Sequence, residues 1–230
     1  MGKRLLCAGI LILASLSLAF GGDVAQFVNL GFSADGRYFE FGEYGIMQDS
    51  SLPYADLFFV DVPKNDFVPQ GVNRFTGTKA VEPGYTGLGA LLNLTSAAAA
   101  MRKQFGVDHL ITGRFLYILL DGAPANDSME FRDFPMGRKY TVQLLQSSTV
   151  KGSVASSSFH IAVTIEEKDG RVHRLTVGNP QTQRAGVKAY HIKQIVLSPD
   201  GKSHVFVIQK EETDGKGDNV RYMVETVRIP

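Results

Sequence analysis

The segment GFSADGRYFEF at residues 31–41 returns in altered form 165 residues later, as VLSPDGKSHVF at residues 196–206. In both copies a Ser and an Asp can bond to backbone amides within a turn, and the Gly after the Asp can adopt the positive φ that reverses the chain. The flanking residues are apolar or alternate with polar residues, which is typical of strands. We therefore predict two antiparallel hairpins, which turn at Asp35-Gly36 and at Asp200-Gly201.

The surrounding sequence predicts a mainly β fold with one helix. A first meander is expected from strands at residues 23–30, 37–44 and 57–62. Apolar residues recur at three- and four-residue steps through residues 87–105, which predicts one amphipathic helix that ends at Gly106. Residues 70–85 and 121–135 are polar and predict loops. Six later strands are predicted at residues 139–150, 158–167, 172–177, 190–197, 203–211 and 220–229. The expected fold class is antiparallel meanders in a propeller-like, sandwich-like or barrel-like arrangement, with the helix packed on the sheet.

Two pairings between strands can also be predicted. In the hairpin near residue 170, pairing Ile165 with Leu175 satisfies the apolar and the charged cross-strand pairs together. The likeness of the first and last β units suggests that they share a sheet, which would place Val28 and Val205 in one sheet.

The first 22 residues have the pattern of a secretory signal peptide. Lys3 and Arg4 precede an apolar run of 16 residues, from Leu5 to Phe20. This run is short for a membrane span, and Gly21 and Gly22 provide small residues for cleavage. We expect cleavage near these glycines, a periplasmic or secreted mature chain, and no membrane span after cleavage. A retained anchor is the alternative.

The composition of the mature chain excludes several classes of protein. Cleavage removes Cys7, the only cysteine, so no disulfide can form within one chain. About 208 residues suffice for one domain with an adequate core, and we expect residues 23–230 to form a single domain. Without the two basic residues of the leader, 22 basic residues stand against 23 acidic ones, a formal charge of −1. That balance does not point to a nucleic-acid partner, which would require a basic face.

The two turn segments resemble the repeats of TolB- and WD40-like β-propellers, in which such a turn joins two strands of a blade. Only two copies are clear, whereas a closed propeller needs at least four blades. The chain also resembles a bacterial family of predicted secreted proteins without an assigned function (DUF2259), most specifically at residues 30–39 and 43–45. That resemblance implies export and a single domain, and it transfers no catalytic residue.

Two polar or glycine-rich segments invite a ligand-binding interpretation. Glycines at residues 84, 87 and 89 precede the predicted helix and could bind an anion, but their spacing fits no phosphate-binding fingerprint. The turn at residues 214–219 has two carboxylates and an amide that calcium could use, but it lacks the ligand spacing of an EF-hand. A flexible helix start and a solvated hairpin tip are the favoured interpretations.

Catalytic chemistry has little support in the sequence. The five histidines form no pair with metal-ligand spacing, and no Gly-x-Ser-x-Gly segment occurs. His173 could contact Glu167 across its hairpin, as an ordinary cross-strand pair. We therefore assign no catalytic residue, no metal ligand and no cofactor.

Aromatic and acidic residues of the first meander form the predicted binding surface, because aromatic rings beside carboxylates can hold a sugar ring or anchor a protein. The predicted binding residues are Tyr38, Glu40, Glu43, Tyr44 and Tyr54. Tyr38 and Glu40 are expected to share the face opposite the neighbouring phenylalanines, although strand alternation also allows several of the set to face the core.

Two functional hypotheses follow from these patterns. The preferred one is an exported, non-enzymatic binding or envelope-associated module that contacts an envelope protein or a glycan. The alternative is a glycosidase-like periplasmic hydrolase that uses carboxylates from separate strands. The alternative would need paired carboxylates about 5–10 Å apart in a deep cleft.

Overall fold

The structure, a computed structural model, describes residues 22–151, 154–213 and 217–229. The predicted signal peptide lies outside the described residues except for Gly22, and so do residues 214–216 of the last turn.

Strands account for most of the described elements. The first half contains β1 (Gln26–Ser33), β2 (Tyr38–Ile46), β3 (Pro53–Asp61), a 3₁₀ turn (Val62–Lys64), β4 (Asp66–Thr76), α1 (Leu88–Ala97), α2 (Ala99–Phe105), β5 (Val107–Asp108) and β6 (Arg114–Ile118). The second half contains β7 (Ser128–Asp133), β8 (Arg138–Lys151), β9 (Val154–Glu166), β10 (Val172–Val177), β11 (Arg184–Ala185), β12 (Val187–Leu197), β13 (Ser203–Thr213) and β14 (Asp218–Arg228).

These strands form three open antiparallel sheets. The first sheet has the order β4-β3-β2-β1-β5, the second β10-β9-β8-β7 with β11 beside β9, and the third β14-β13-β12-β6. Each sheet is largely a meander, in which strands that follow one another in sequence lie side by side. The prediction of a mainly β fold with antiparallel meanders is therefore confirmed.

The third sheet is the middle layer of the molecule. One of its faces packs on the first sheet through an apolar cluster that contains Phe39, Phe41 and Val205. The other face packs on the second sheet through an apolar cluster that contains Phe206 and Phe159. Because the sheets stack face to face and stay open, the arrangement corresponds to the sandwich-like alternative.

The two repeated turns have the same internal hydrogen bonds. The Ser33 hydroxyl donates to Asp35 Oδ1 at 2.6 Å, and the Ser198 hydroxyl donates to Asp200 Oδ1 at 2.5 Å. Each Asp also accepts the backbone N–H two residues later at 3.1 Å. In each turn the Gly has a φ of +70°. The prediction of two hairpins at these positions is confirmed.

The two hairpins lie against each other but belong to different sheets. Val28 lies in the first sheet and Val205 in the third, so the predicted shared sheet is wrong. A Cβ at Gly36 would be only 3.0 Å from Asp200 Oδ1, which shows how closely the turns approach. The two hairpins have similar sequences, and each carries Phe and Val side chains on one face. They therefore stack face to face and do not pair edge to edge in one sheet.

The predicted register of the β9–β10 hairpin is wrong by two residues. Ile165 lies opposite His173 rather than Leu175. Glu167 and Arg171 flank the loop, with the Glu167 N–H donating to the Arg171 carbonyl at 2.8 Å. Because a shift of two residues keeps each side chain on its own face, the predicted inward and outward faces are unchanged.

Two predicted loops contain strands. β4 continues through Thr76, and its pairing with β3 is interrupted by a bulge at which Gln70 has a φ of 60°. β7 occupies residues 128–133 of the second predicted loop. Both strands lie at sheet edges and present many polar side chains, which conceals the alternation that strand prediction needs.

The predicted helix packs on the outer face of the first sheet and is divided in two at Ala98. Leu91 is buried there against Leu57 and Phe59. Gly106 ends α2 in the left-handed conformation, as predicted. Among the described residues no helix has both the length and the hydropathy that crossing a membrane requires.

Candidate functional site

Three of the five predicted binding residues lie beneath the helices. Glu40 is completely buried and accepts two hydrogen bonds from Arg102, at 2.8 Å from Nε and 2.7 Å from Nη2. The Tyr38 ring lies 4.7 Å from the ring of Phe105, and Tyr44 packs into the same apolar cluster. Helices α1 and α2 therefore cover the face that was expected to carry Tyr38 and Glu40 at the surface.

The other two predicted residues lie on the opposite face of the first sheet, towards the third sheet. Glu43 is 3% exposed, and one of its carboxylate oxygens accepts the Tyr222 N–H at 2.6 Å. Tyr54 is buried, with the Arg221 guanidinium 4.5 Å from the centre of its ring. Alternation along β2 and β3 separates these two residues from the other three.

Glu43 lines a cleft between the first and third sheets. This cleft has a volume of about 570 Å³ and lies between β2, β3 and β4 of the first sheet and β13 and β14 of the third, and Arg184 of β11 also lines it. Its walls combine aromatic rings with groups of both charges. The lining residues that bear on function are Glu43, Asp56, Phe58, Phe67, Arg184 and Arg221.

A row of phenylalanine rings crosses the first sheet and reaches the cleft. Phe27 stacks on Phe41 with ring centres 5.7 Å apart, Phe41 on Phe58 at 4.6 Å, and Phe58 on Phe67 at 5.5 Å. Each ring comes from a different strand, from β1 to β4. The row begins in the core and ends at Phe67, whose surface is 44% exposed.

Two carboxyl groups lie beside this aromatic row. Glu43 on β2 is directly opposite Asp56 on β3, and the next pair on the same face is Phe41 with Phe58. Burial raises the pKa of Glu43 to about 7, and the negative charge of Asp56 adds to this effect. The hydrogen bond from the backbone N–H of Tyr222 acts in the opposite direction and lowers the pKa. Burial also raises the pKa of Asp56. The cleft thus holds two neighbouring acids that are poorly stabilised in their charged forms.

The basic residues of the cleft have acidic partners of their own. Arg221 contacts Asp23 at 3.2 Å, and Lys210 contacts Glu212 at 2.6 Å. Within the described residues, Asp56 has its ion pair with Arg74, at 3.6 Å, and that arginine is largely exposed. Among the described residues Glu43 has no ion pair. Among the described residues, neither Glu43 nor Asp56 therefore has an ion pair with a buried arginine or lysine.

A second polar cluster occupies the opposite end of the third sheet, near the Asp200-Gly201 turn. Arg114 binds Asp133 through two hydrogen bonds, of 2.7 and 2.6 Å. The Tyr140 hydroxyl and His204 Nε2 share a buried hydrogen bond of 3.0 Å. Burial, with a contribution from Arg138, lowers the pKa of His204 to about 4. This cluster connects the second and third sheets, and its Arg114 also lines a cleft of about 460 Å³ beside the Asp200-Gly201 turn.

The predicted contact between His173 and Glu167 is present, with His173 Nε2 3.8 Å from Glu167 Oε1. The described part of the chain contains no group of three or more His, Cys, Asp or Glu residues arranged to hold a metal ion. The turn proposed for calcium falls partly on residues 214–216, which lie outside the described residues.

Sequence reasoning missed Asp56, Arg184 and Arg221 as parts of the site. Asp56 could have been found, because counting back through the β2–β3 hairpin places it opposite Glu43. Arg184 and Arg221 come from strands that are distant in sequence, and only the stacking of the sheets brings them to the cleft.

A model of the family described as "Predicted secreted protein (DUF2259)" matches residues 40–228. This match covers well over half of the chain, from β2 to the end of β14. The chain belongs to this family. The family description agrees with the export that the N-terminal segment predicts, and the matched range includes every cleft residue named above. A comparison with curated proteins finds no significant match.

Proposed function

We propose that this member of the predicted secreted family is a binding module that holds a glycan in the cleft between the first and third sheets. The observation that carries the proposal is the phenylalanine row, which lies beside the carboxyl groups of Glu43 and Asp56 at Phe41 and Phe58 and ends at the exposed Phe67. A sugar ring has an apolar C–H face and a polar hydroxyl edge. Aromatic rings can pack on that face while carboxylates and arginines bond to that edge.

The dimensions of the cleft support a small ligand or one end of a longer chain. Its volume of about 570 Å³ lies within the range of roughly 300–1,000 Å³ that is usual for small-molecule sites. The balance of charges in its walls favours a polar ligand over a lipid. An envelope protein, the other predicted partner, would be expected to use a flatter and more apolar surface.

The cellular setting is part of the same proposal. The mature chain, residues 23–230, acts as a single domain in the periplasm or outside the cell, after its leader is cleaved near Gly21 or Gly22. Its two Asp-Gly turns are repeats of the propeller type, although the meanders that contain them stack as a sandwich. Their matching hydrogen bonds support this relationship.

The proposal is tested by calorimetric titration of the mature chain with a panel of neutral, acidic and amine-bearing oligosaccharides. We expect Phe67→Ala to weaken binding by about tenfold or more, which is the effect of removing one good aromatic contact. Phe75→Ala is the matched control, because Phe75 lies on the same strand with a similar exposure but does not line this cleft. Equal effects of both substitutions, or no binding to any oligosaccharide, would refute the proposal. If the mature chain captured an envelope protein through Phe67 and bound no oligosaccharide, the ligand of the cleft would be a protein and not a glycan.

The carboxylate hydrolase is the second candidate, because the pKa of Glu43 is raised to about 7, as that of a general acid often is. Glu43 and Asp56 are, however, neighbours on one sheet face, whereas glycosidase carboxylates flank the bond that they cleave. The two candidates are separated by incubating a bound oligosaccharide with the protein and measuring new reducing ends. Release that Glu43→Gln abolishes would favour the hydrolase, and intact oligosaccharide would favour binding.

A further inference from the structure

The strand β7 lies at an edge of the second sheet and has one side free for pairing. Within the described residues it pairs only with β8. Just before the strand begins, the Asp127 carbonyl accepts the Leu144 N–H at 2.7 Å. Every second residue of an antiparallel strand bonds to a given neighbour, so the backbone groups of Ser128, Glu130 and Arg132 point away from β8. The side chains of these three residues are exposed.

The other sheet edges are less suited to pairing with another chain. The edge strand β4 is bent by the bulge near Gln70, β5 has only two residues, and β14 is partly covered by Val24. The pairing of β6 with β12 is irregular, whereas all six residues of β7 pair with β8 without a shift. Bulges and short strands hinder pairing at an edge, so β7 is the regular edge that remains accessible, together with β10.

The exposed face of β7 carries one acid and one base, two residues apart. Glu130 lies 3.3 Å from Lys139. Arg132 lies directly opposite the same lysine and has no ion pair within the described residues. Like charges that face each other across two strands repel. An acid on the free side of β7 would therefore stabilise Arg132. The β10 edge has no such pattern, because Arg174 is its single charged residue.

The charge pattern of β7 is complementary to itself. If a second copy of the chain pairs antiparallel with β7 about a twofold axis at Phe131, Glu130 lies opposite the partner's Arg132, and this contact occurs twice. The same two residues direct their backbone groups to the free side, so they can also exchange hydrogen bonds. An axis at Glu130 or at Arg132 would place like charges opposite each other, and an axis at Met129 would place Glu130 opposite Ser128. The charges therefore select a single register.

Apolar side chains would add to this pairing. The half-buried Phe131 ring stacks on Tyr140 at 5.0 Å, and in the selected register it faces its own copy in a closely spaced pair. Tyr117 of β6 lies 6.4 Å from Phe131, so β6 and β7 are edges on the same side of the stacked sheets. The twofold axis therefore also brings the β6 strands of the two copies towards each other. These strands expose Phe115 by 42% and Ile118 by 45%.

We propose that the mature chain forms a twofold-symmetric dimer in which the β7 strands of two copies pair antiparallel. The pairing joins the two second sheets into one continuous sheet, and the contacts between Glu130 and the partner's Arg132 fix its register. The cleft lies beside β13 and β14, on the far side of the third sheet from β6, so the dimer leaves it open. This inference does not depend on the proposed function.

The test measures the mass of the mature chain by sedimentation equilibrium at about 0.15 M salt. We expect a dimer, and we expect Glu130→Arg and Arg132→Glu each to weaken it at least about tenfold, because each variant places like charges opposite each other twice. Arg174→Glu, at the opposite edge of the same sheet, is the matched control and should leave the dimer unchanged. All three positions are exposed, so the variants should keep the circular dichroism spectrum of the parent.

An equimolar mixture of the two weakened variants tests the register itself. In a pair of one Glu130→Arg chain and one Arg132→Glu chain, two bases lie opposite two acids, so the mixture should recover the dimer. A parent chain that stays monomeric up to about 1 mM would overturn the proposal. So would single variants that dimerise as well as the parent, or a mixture that stays monomeric.

Discussion

Glu43 lies directly opposite Asp56 across β2 and β3, with both carboxyl groups on the face that borders the cleft. Side chains in such pairs have Cβ atoms only about 5 Å apart, so two negative charges there repel each other. The pair therefore destabilises the folded protein at neutral pH. Protonation of Glu43, whose pKa burial raises to about 7, relieves this repulsion.

Glu43→Gln should stabilise the protein at high pH but not at low pH. The folded-state pKa of about 7 lies above the ordinary value of 4.5, so the folded protein binds more protons than the unfolded chain between these values. Its stability therefore falls as the pH rises through that window. The variant avoids this loss and should be more stable by roughly 1–3 kcal/mol at about pH 8. Urea denaturation at about pH 4.5 and pH 8 measures the difference, and an equal effect at both pH values would contradict the prediction.

His204 should give the opposite dependence on pH. Its folded-state pKa of about 4 lies below the ordinary value of 6.5, so the unfolded chain binds the extra proton between these values. The contribution of the neutral imidazole is complete above about pH 6.5 and is lost as the pH falls towards 4, by about 3 kcal/mol in all. His204→Gln should remove this part of the acid sensitivity in urea denaturation curves. His160→Gln is the control, and matching acid profiles for the two variants would disprove the assignment.

Local chemistry explains why the hairpin turns could be predicted from the sequence. Ser33, Asp35 and Gly36 form the first turn almost entirely by themselves, and the second copy repeats the same contacts. The helix that ends at Gly106 is equally local. Such signals depend on a few neighbouring residues, so one sequence is enough to detect them.

The remaining features depend on partners that lie far away in sequence. Nothing in β2 alone shows that Arg102 covers Glu40, because the sheet has two faces and alternation does not say which one the helices take. The pairing of Glu43 with Asp56 follows from the register of one hairpin, yet its burial follows from the third sheet. The strand β4 is hidden by its polar side chains and by the bulge near Gln70. The fold class could therefore be predicted from the sequence pattern, whereas the candidate site depends on how the sheets stack.

Removal of Arg102 should destabilise the protein far more than removal of its neighbour Lys103. Glu40 is completely buried, and Arg102 supplies both of its hydrogen bonds while also donating to the Thr95 carbonyl at 2.9 Å. Arg102→Ala leaves a buried charge without a partner, which costs about 3–5 kcal/mol. Lys103→Ala, an exposed change on the same helix, should stay within about 0.5 kcal/mol of the parent. Thermal and urea denaturation of the two variants would compare them.

If the Glu40–Arg102 pair contributes only through its charges, replacing both residues should recover most of the loss. We expect Glu40→Met combined with Arg102→Leu to be much more stable than Arg102→Ala alone, because well-packed apolar side chains can replace a buried ion pair. A double variant as unstable as Arg102→Ala would show that α2 depends on Arg102 for another reason.

The two repeated glycines should respond unequally to the same substitution. Gly36 and Gly201 both have a φ of +70°, so an alanine at either position has a backbone cost of roughly 1–2 kcal/mol. At Gly36 the added Cβ would also lie 3.0 Å from Asp200 Oδ1 and 3.2 Å from Ser198 Cβ, whereas at Gly201 its nearest neighbour is Met136 Cε at 3.6 Å. We therefore expect Gly36→Ala to lower the melting temperature clearly more than Gly201→Ala. Since the backbone cost is the same, the difference between the two variants measures how tightly the first hairpin rests on the second, and equal melting temperatures would show that the two turns can separate without loss.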